Sequence, residues 1–283
     1  MVCTRKQIIV SLLTFTFYLL PFAFLSLPCL AVELSDIQQR GHFKIAVKDN
    51  LRPLAFKDIN GNLQGLEIDL AQRLAQDLLG KANSGKENSG KTNLVKFKPV
   101  TNRDRISQVL DNKVDFTIAR VTATASRARL VNFSIPYYLD GTVIVTKNTS
   151  LQKFSDFTKL KIAVLEASST ISRIKYFIPT AELVGVNSYQ QALELLEKNG
   201  ADGFAADASV LAGWVQQYRQ YRLLSTPLST EPLSVVIPKG LQHDELRRKI
   251  NEAIAGYLES GWLKERAKHW GLPTFDLTLD LTQ

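Results

Sequence analysis

Phe43-Lys44-Ile45-Ala46-Val47, followed by Leu66, Leu70, Leu74 and Leu78, is the stretch whose reading decides the fold. The first five residues have the composition of a strand. The four leucines recur at a spacing of four, which lines them along one face of a helix. Val95 to Val100 reads as a second strand. Ile106, Val109 and Leu110 mark a short helix, and Asp115 to Ala119 a third strand. A β-α-β-α-β order of this kind builds a parallel or mixed sheet covered by helices.

The pattern restarts after Asn148. Strands are expected at Leu160–Leu165, Glu182–Val186 and Gly203–Ala206. Helices are expected at Ser169–Phe177, at Tyr189–Glu197 and, after the Gly203–Ala206 strand, toward Tyr218. Leu233–Ile237 is extended, and a helical tail from Asp244 to Trp270 is expected to break at Gly261, since glycine is costly inside a helix. The class is therefore α/β, with two similar units in series. Extended apolar segments near 142–147 and 234–238 read as two hinge crossings. The first lobe is expected at 32–142 plus 238–283 and the second at 143–237. Two lobes joined by two strands can close on a ligand by hinge motion, and interlobe clefts are preferred small-molecule sites.

Residues 1–31 have a different character. Arg5 and Lys6 precede an apolar run from Ile8 to Leu30, and Cys29-Leu30-Ala31 provides a compact exit. A positive start, an apolar middle and such an exit make a secretory signal cleaved after Ala31. The run is also long enough for an uncleaved anchor, although Pro21 and Pro28 interrupt it. A lipidated Cys29 is a third reading, with Pro28 a poor neighbour for that cleavage. Both cysteines, Cys3 and Cys29, lie in this segment, so the exported chain would carry no disulfide and no cysteine metal site. The whole chain has 35 basic against 27 acidic side chains, and loss of Arg5 and Lys6 leaves a charge of +6. The basic residues are scattered among acids rather than gathered in a stripe, which argues against nucleic acid as a partner.

Gly85 to Thr92 matches the phosphate-loop pattern G-x-x-x-x-G-K-T. A working phosphate loop leaves a strand and opens a helix. Here a helix precedes and a strand follows, and Asn-Ser-Gly-Lys occurs twice in a polar run. The segment reads as a surface loop.

The chemistry concentrates in Ala119-Arg120-Val121-Thr122-Ala123-Thr124-Ala125-Ser126-Arg127, followed by Val131-Asn132-Phe133-Ser134 and Pro136-Tyr137-Tyr138. With Gly65–Ala71, Ser168-Ser169-Thr170, Gly200–Gly203 and the tail Gly261-Trp262-Leu263 to His269-Trp270-Gly271, this ordered set resembles the amino-acid-binding family of bacterial extracellular solute-binding proteins, family 3 type. The resemblance covers nearly the whole chain after the leader. It implies a two-lobed, periplasmic-binding-protein-like (type II) fold with no cofactor, metal or catalytic residue. The protein would be a monomer outside the cytoplasm that passes an amino-acid-like ligand to the membrane subunits of an ABC transporter.

The resemblance also assigns roles. Arg127 would fork onto the ligand carboxylate, with Thr122 adding a hydroxyl and an amide. Ser168 and Ser169 would donate from the second lobe, and Asp207 would accept from the ligand ammonium. Each has a plainer reading: a surface arginine, or a helix cap for Thr122, Ser168, Ser169 and Asp207. The chain departs from the family where Lys48 replaces a common acid and Leu51 a common aromatic. Asp49 could substitute for the acid only from the opposite face of the strand. Arg52 and Arg120 stand near the expected cleft, where small or uncharged residues are usual. With Arg127 they suggest an acidic ligand, unless they point outward or pair with acids such as Glu67 or Glu166. His42, His243 and His269 read as surface or tail residues. The rival functions are a secreted dehydratase or peptidoglycan-cleaving enzyme, with Glu67 and Glu166 as a carboxylate pair, and a sensory domain on the same fold.

Overall fold

The computed structural model describes residues 33–83, 93–166 and 168–274. The expected leader at 1–31 and the loop Gly85 to Thr92 lie outside them. A short helix, Leu34–Arg40, precedes β1 (Phe43–Val47). Then come α1 (Leu66–Asn83), β2 (Val95–Pro99), β3 (Phe116–Ile118) and β4 (Asn132–Phe133). The chain continues through β5 (Tyr138–Asp140) and β6 (Thr142–Thr146) into β7 (Lys161–Leu165), α2 (Thr170–Phe177), β8 (Glu182–Val186) and α3 (Tyr189–Glu197). Next are β9 (Gly203–Asp207), α4 (Ala208–Gln217) and β10 (Arg222–Leu223). The return runs through β11 (Glu231–Leu233) and β12 (Val236–Ile237) to α5 (Asp244–Glu259) and α6 (Trp262–His269).

Two five-stranded sheets share one plan. The first has the order β2-β1-β3-β12-β4 and the second β8-β7-β9-β6-β10. In each, one strand (β1 or β7) pairs in parallel with both neighbours, and an antiparallel strand (β12 or β6) joins the parallel half to a short edge. Parallel neighbours put their C-terminal ends on one side, where open α/β sheets carry their ligand crevices. Lys48 and Arg120 therefore follow such ends in the first lobe, and Ser168 and Asp207 occupy the same positions in the second.

Between the sheets the chain crosses as β5 and β11, which pair antiparallel through Glu231↔Asp140, Pro232↔Leu139 and Leu233↔Tyr138. These strands precede the stretches expected from sequence. Thr142–Thr146 is instead fully buried inside the second sheet, and Val236–Ile237 inside the first. Their apolar character reflects sheet burial, not the crossing. The two segments approach closely: a Cβ on Gly141 would run into the Ser229 carbonyl.

The cores follow from periodicity. Leu66, Leu70, Leu74 and Leu79 on α1 are fully buried, and the α5 stripe Leu246, Ile250, Ile254 and Tyr257 packs in the same core. Leu78 is only half-buried, because the stripe of a helix with 3.6 residues per turn drifts from a strict spacing of four. In β6, Val143 and Val145 face one core while Ile144 faces another, as strand alternation requires. Gly261 takes φ +74° between α5 and α6, which accounts for the break read from the sequence.

Candidate functional site

The site begins at the backbone of Arg120, just beyond β3. This residue sits at φ +49°, a left-handed conformation costly for a side chain with a Cβ. Its neighbours hold it there. The Arg120 N–H donates to Glu67 Oε1 at 2.6 Å, and Arg105 Nη1 donates to the Arg120 carbonyl. Arg105 also donates to the Ala119 carbonyl at 3.1 Å.

Glu67, at the start of α1, is fully buried. Its Oε1 also accepts from the Tyr137 hydroxyl at 2.6 Å, while Oε2 lacks a hydrogen-bond partner. Burial raises the Glu67 pKa above the usual carboxylate range, against the hydrogen bonds from Tyr137 and Arg120. The same burial, reinforced by Glu67, drives the Tyr137 phenol up. Glu67 thus anchors the Arg120 backbone through Oε1.

The Arg120 guanidinium crosses to the other side of the cleft. Its Nη2 pairs with Asp207 Oδ2 at the end of β9. Its Nε donates to Asp140 Oδ2 at 3.3 Å and Ser209 Oγ at 3.2 Å. Asp140, on the crossing strand β5, is fully buried. It also accepts from the amides of Gly141 and Ser209, both at 2.9 Å. Asp140 therefore ties the crossing strand to the first turn of α4 and to Arg120. Asp207 precedes α4 but makes no side-chain cap bond, so its carboxylate serves Arg120 instead.

Arg127 and Thr122 form the second expected pair. Arg127 Nη1 donates to the Thr122 carbonyl at 2.9 Å, and Thr122 bridges to Leu233 of β11. Among the described residues no carboxylate pairs with Arg127. Burial lowers the Arg105 pKa to about 10, with Arg127 and Arg120 adding to the shift. The three guanidinium groups therefore lie near one another, but Arg120 is paired with Asp207 and Asp140, so Arg127 is the one of the two cleft-facing arginines that keeps donors without a carboxylate among the described residues.

The remaining expected residues occupy separate places. Ser168 Oγ accepts from the Thr170 amide at 3.1 Å and so supports the start of α2. Ser169 is exposed and makes no cap bond. Leu51 and Arg52 line a groove of about 350 Å³, with Tyr189, Val210, Trp214 and Tyr218 of the second lobe opposite. Arg52 stacks its guanidinium 3.7 Å from the Phe56 ring centre. Burial raises the Tyr189 pKa, and Arg120 and Asp140 lie close enough to act on it electrostatically, so the groove borders the central ion pairs. Lys48 is buried and donates to the Val100 carbonyl at 3.1 Å, while Asp49 pairs with Lys57 at 2.8 Å. Neither takes the place of the missing acid.

Sequence reasoning did not single out Arg105, Asp140 or Ser209. Asp140 lies two residues after the quoted Pro136-Tyr137-Tyr138 run, which is the only local signal it offers. His243 was expected at the surface but is buried ahead of α5. Among the described residues no group of three His, Cys, Asp or Glu side chains gathers to hold a metal.

Two similar mixed sheets, joined by paired crossing strands and meeting at a charged cleft, define a two-lobed α/β binding-protein class. Residues 43–273 match the model of bacterial extracellular solute-binding proteins, family 3, and the chain belongs to that family. It is 25% identical over 240 residues to the ABC transporter glutamine-binding protein GlnH of Bacillus subtilis, covering 84% of each chain. It is 24% identical over 215 residues to the ABC transporter arginine-binding protein 1 of Escherichia coli, covering 75% of this chain and 83% of that one. Among solved structures, an ancestral cationic amino acid solute-binding protein, AncCDT-1, superposes with a TM-score of 0.70 at 26% identity. That match covers 84% of this chain and 99% of the other.

Proposed function

We propose that the protein captures an amino-acid-sized anionic molecule in its interlobe cleft outside the cytoplasm and hands it, unchanged, to the membrane subunits of an ABC transporter. The observation that carries the reading is Arg127, held by the Thr122 carbonyl at the cleft with no carboxylate partner among the described residues. An arginine fork that is fixed on one nitrogen retains further donors for two-point recognition of a carboxylate. The named relatives are binding proteins for amino acids, which supports a ligand of that size.

In this reading Arg127 and Thr122 hold the carboxylate from the first lobe, and Ser168 and Ser169 approach from the second. Leu51 and Arg52 border the outer groove. Lobe 1 is residues 32–137 with 234–283 and lobe 2 is 141–230, joined by the crossing strands β5 and β11. Export by the 1–31 segment and a monomeric state complete the account. The named relatives are binding proteins, which supports binding over catalysis.

The test is a thermal-shift screen of the refolded protein against amino acids and small organic acids, with the ligand recovered and analysed by NMR. An acidic ligand that raises the melting temperature and returns unchanged supports the reading. Conversion of the recovered ligand supports the enzyme alternative instead.

A further inference from the structure

We infer that Arg120 is a specificity residue that fills the place of a ligand ammonium, so the preferred ligand is a small organic acid with no free ammonium group. The inference rests on the anion-binding reading above. Its ground is the fate of the carboxylates at the cleft. Asp207 pairs with Arg120 Nη2. Asp140, fully buried, takes Arg120 Nε at 3.3 Å while its remaining valences serve two backbone amides and Ser209. Glu67 is bound to Tyr137 and the Arg120 amide. Glu166 is exposed and lies against Gly185 on the outer strand β8.

An incoming ammonium would therefore meet a guanidinium where it needs an acceptor. To reach Asp207 it would have to displace a cation that the chain itself tethers. The displaced Arg120 would then lose a charge-assisted bond and sit beside a second cation in a partly desolvated site. The Arg120 side chain is 19% exposed and that of Asp207 22%, so water screens this arrangement only partly. The left-handed backbone of Arg120, pinned by Glu67 and Arg105, limits how far the side chain can withdraw. A carboxylate meets the opposite situation. It finds Arg127 held by one backbone carbonyl and without a carboxylate partner among the described residues.

The experiment is calorimetric titration with acids matched but for the ammonium: succinate against aspartate, glutarate against glutamate, and 4-methylpentanoate against leucine. The wild-type protein is compared with Arg120→Gly, which removes the guanidinium while tolerating the positive φ, and with Arg120→Gln as a second variant should glycine prevent folding. In the wild type, at least one ammonium-free acid is expected to bind more tightly than its amino partner by about tenfold or more, as for an unpaired charge at a specific site. In the variants that preference should reverse, with amino-acid binding gained through the released Asp207. A lost side chain with a merely structural role would weaken both partners together. Wild-type preference for an amino acid, abolished by Asp207→Asn, overturns the inference but leaves the binding reading intact. Silence of every acid, with no amino acid gained by the variants, overturns both.

Discussion

At the residue scale the cleft consists of charges assigned to one another in advance. The sequence allowed Arg127 and Asp207 to be named as cleft residues through the family resemblance, and Arg120 because it stands near the expected cleft where small or uncharged residues are usual. It did not reveal that Arg120 and Asp207 meet, since they lie in different lobes and only the fold brings them together. Asp140 was not legible for the same reason: its buried role depends on the crossing strand and α4 arriving at one point. Glu67 permits a pH test. Burial raises its folded pKa above the ordinary value of 4.5, so the native state binds more protons between 4.5 and that raised value. Stability contributed by Glu67 therefore falls as pH rises through this window and stays low above it. In Glu67→Gln this slope should vanish, and the variant's stability relative to wild type should increase with pH from 4.5 upward. Urea unfolding across pH 4.5–7.5 checks this, and parallel pH profiles would contradict it.

At the element scale, hydrophobic period was the most legible signal. The α1 leucines, the β6 alternation and the break at Gly261 all follow from local sequence. The crossing strands did not, because short buried strands and hinge strands have the same apolar composition. Leu74, with no exposed surface, should cost about 2–5 kcal/mol when cut to alanine, measured by denaturant unfolding. Gly213 on α4 makes a different prediction. A Cβ there would stand 2.6 Å from the Arg52 carbonyl of the first lobe. Alanine favours the helix by about 1 kcal/mol over glycine, so Gly213→Ala should leave global stability intact or raised. It should nevertheless weaken ligand binding several-fold by opposing approach of the lobes. An unchanged affinity would show that this contact does not limit closure.

At the scale of the whole molecule, two similar lobes are linked by a β5–β11 crossing and bridged by contacts that include Arg120. The bridge joins Arg120, anchored in the first lobe, to Asp207 and Ser209 of the second. Its removal in Arg120→Gly should let the ligand-free protein open, raising the radius of gyration in small-angle X-ray scattering. Identical scattering from wild type and variant would mean that other contacts, such as Gln216 Nε2 to the Trp270 carbonyl at 2.7 Å, hold the lobes. The central claim is that the cleft is an anion-binding site organised on Arg127. Its most direct test is calorimetric titration of the refolded protein with small carboxylic acids and the common amino acids, alongside Arg127→Ala. The account predicts saturable binding of an acidic ligand by the wild type and a loss of at least about a hundredfold in affinity in the variant, the cost of leaving a ligand carboxylate without its charged partner. Equal affinity of the two proteins for that ligand would contradict it.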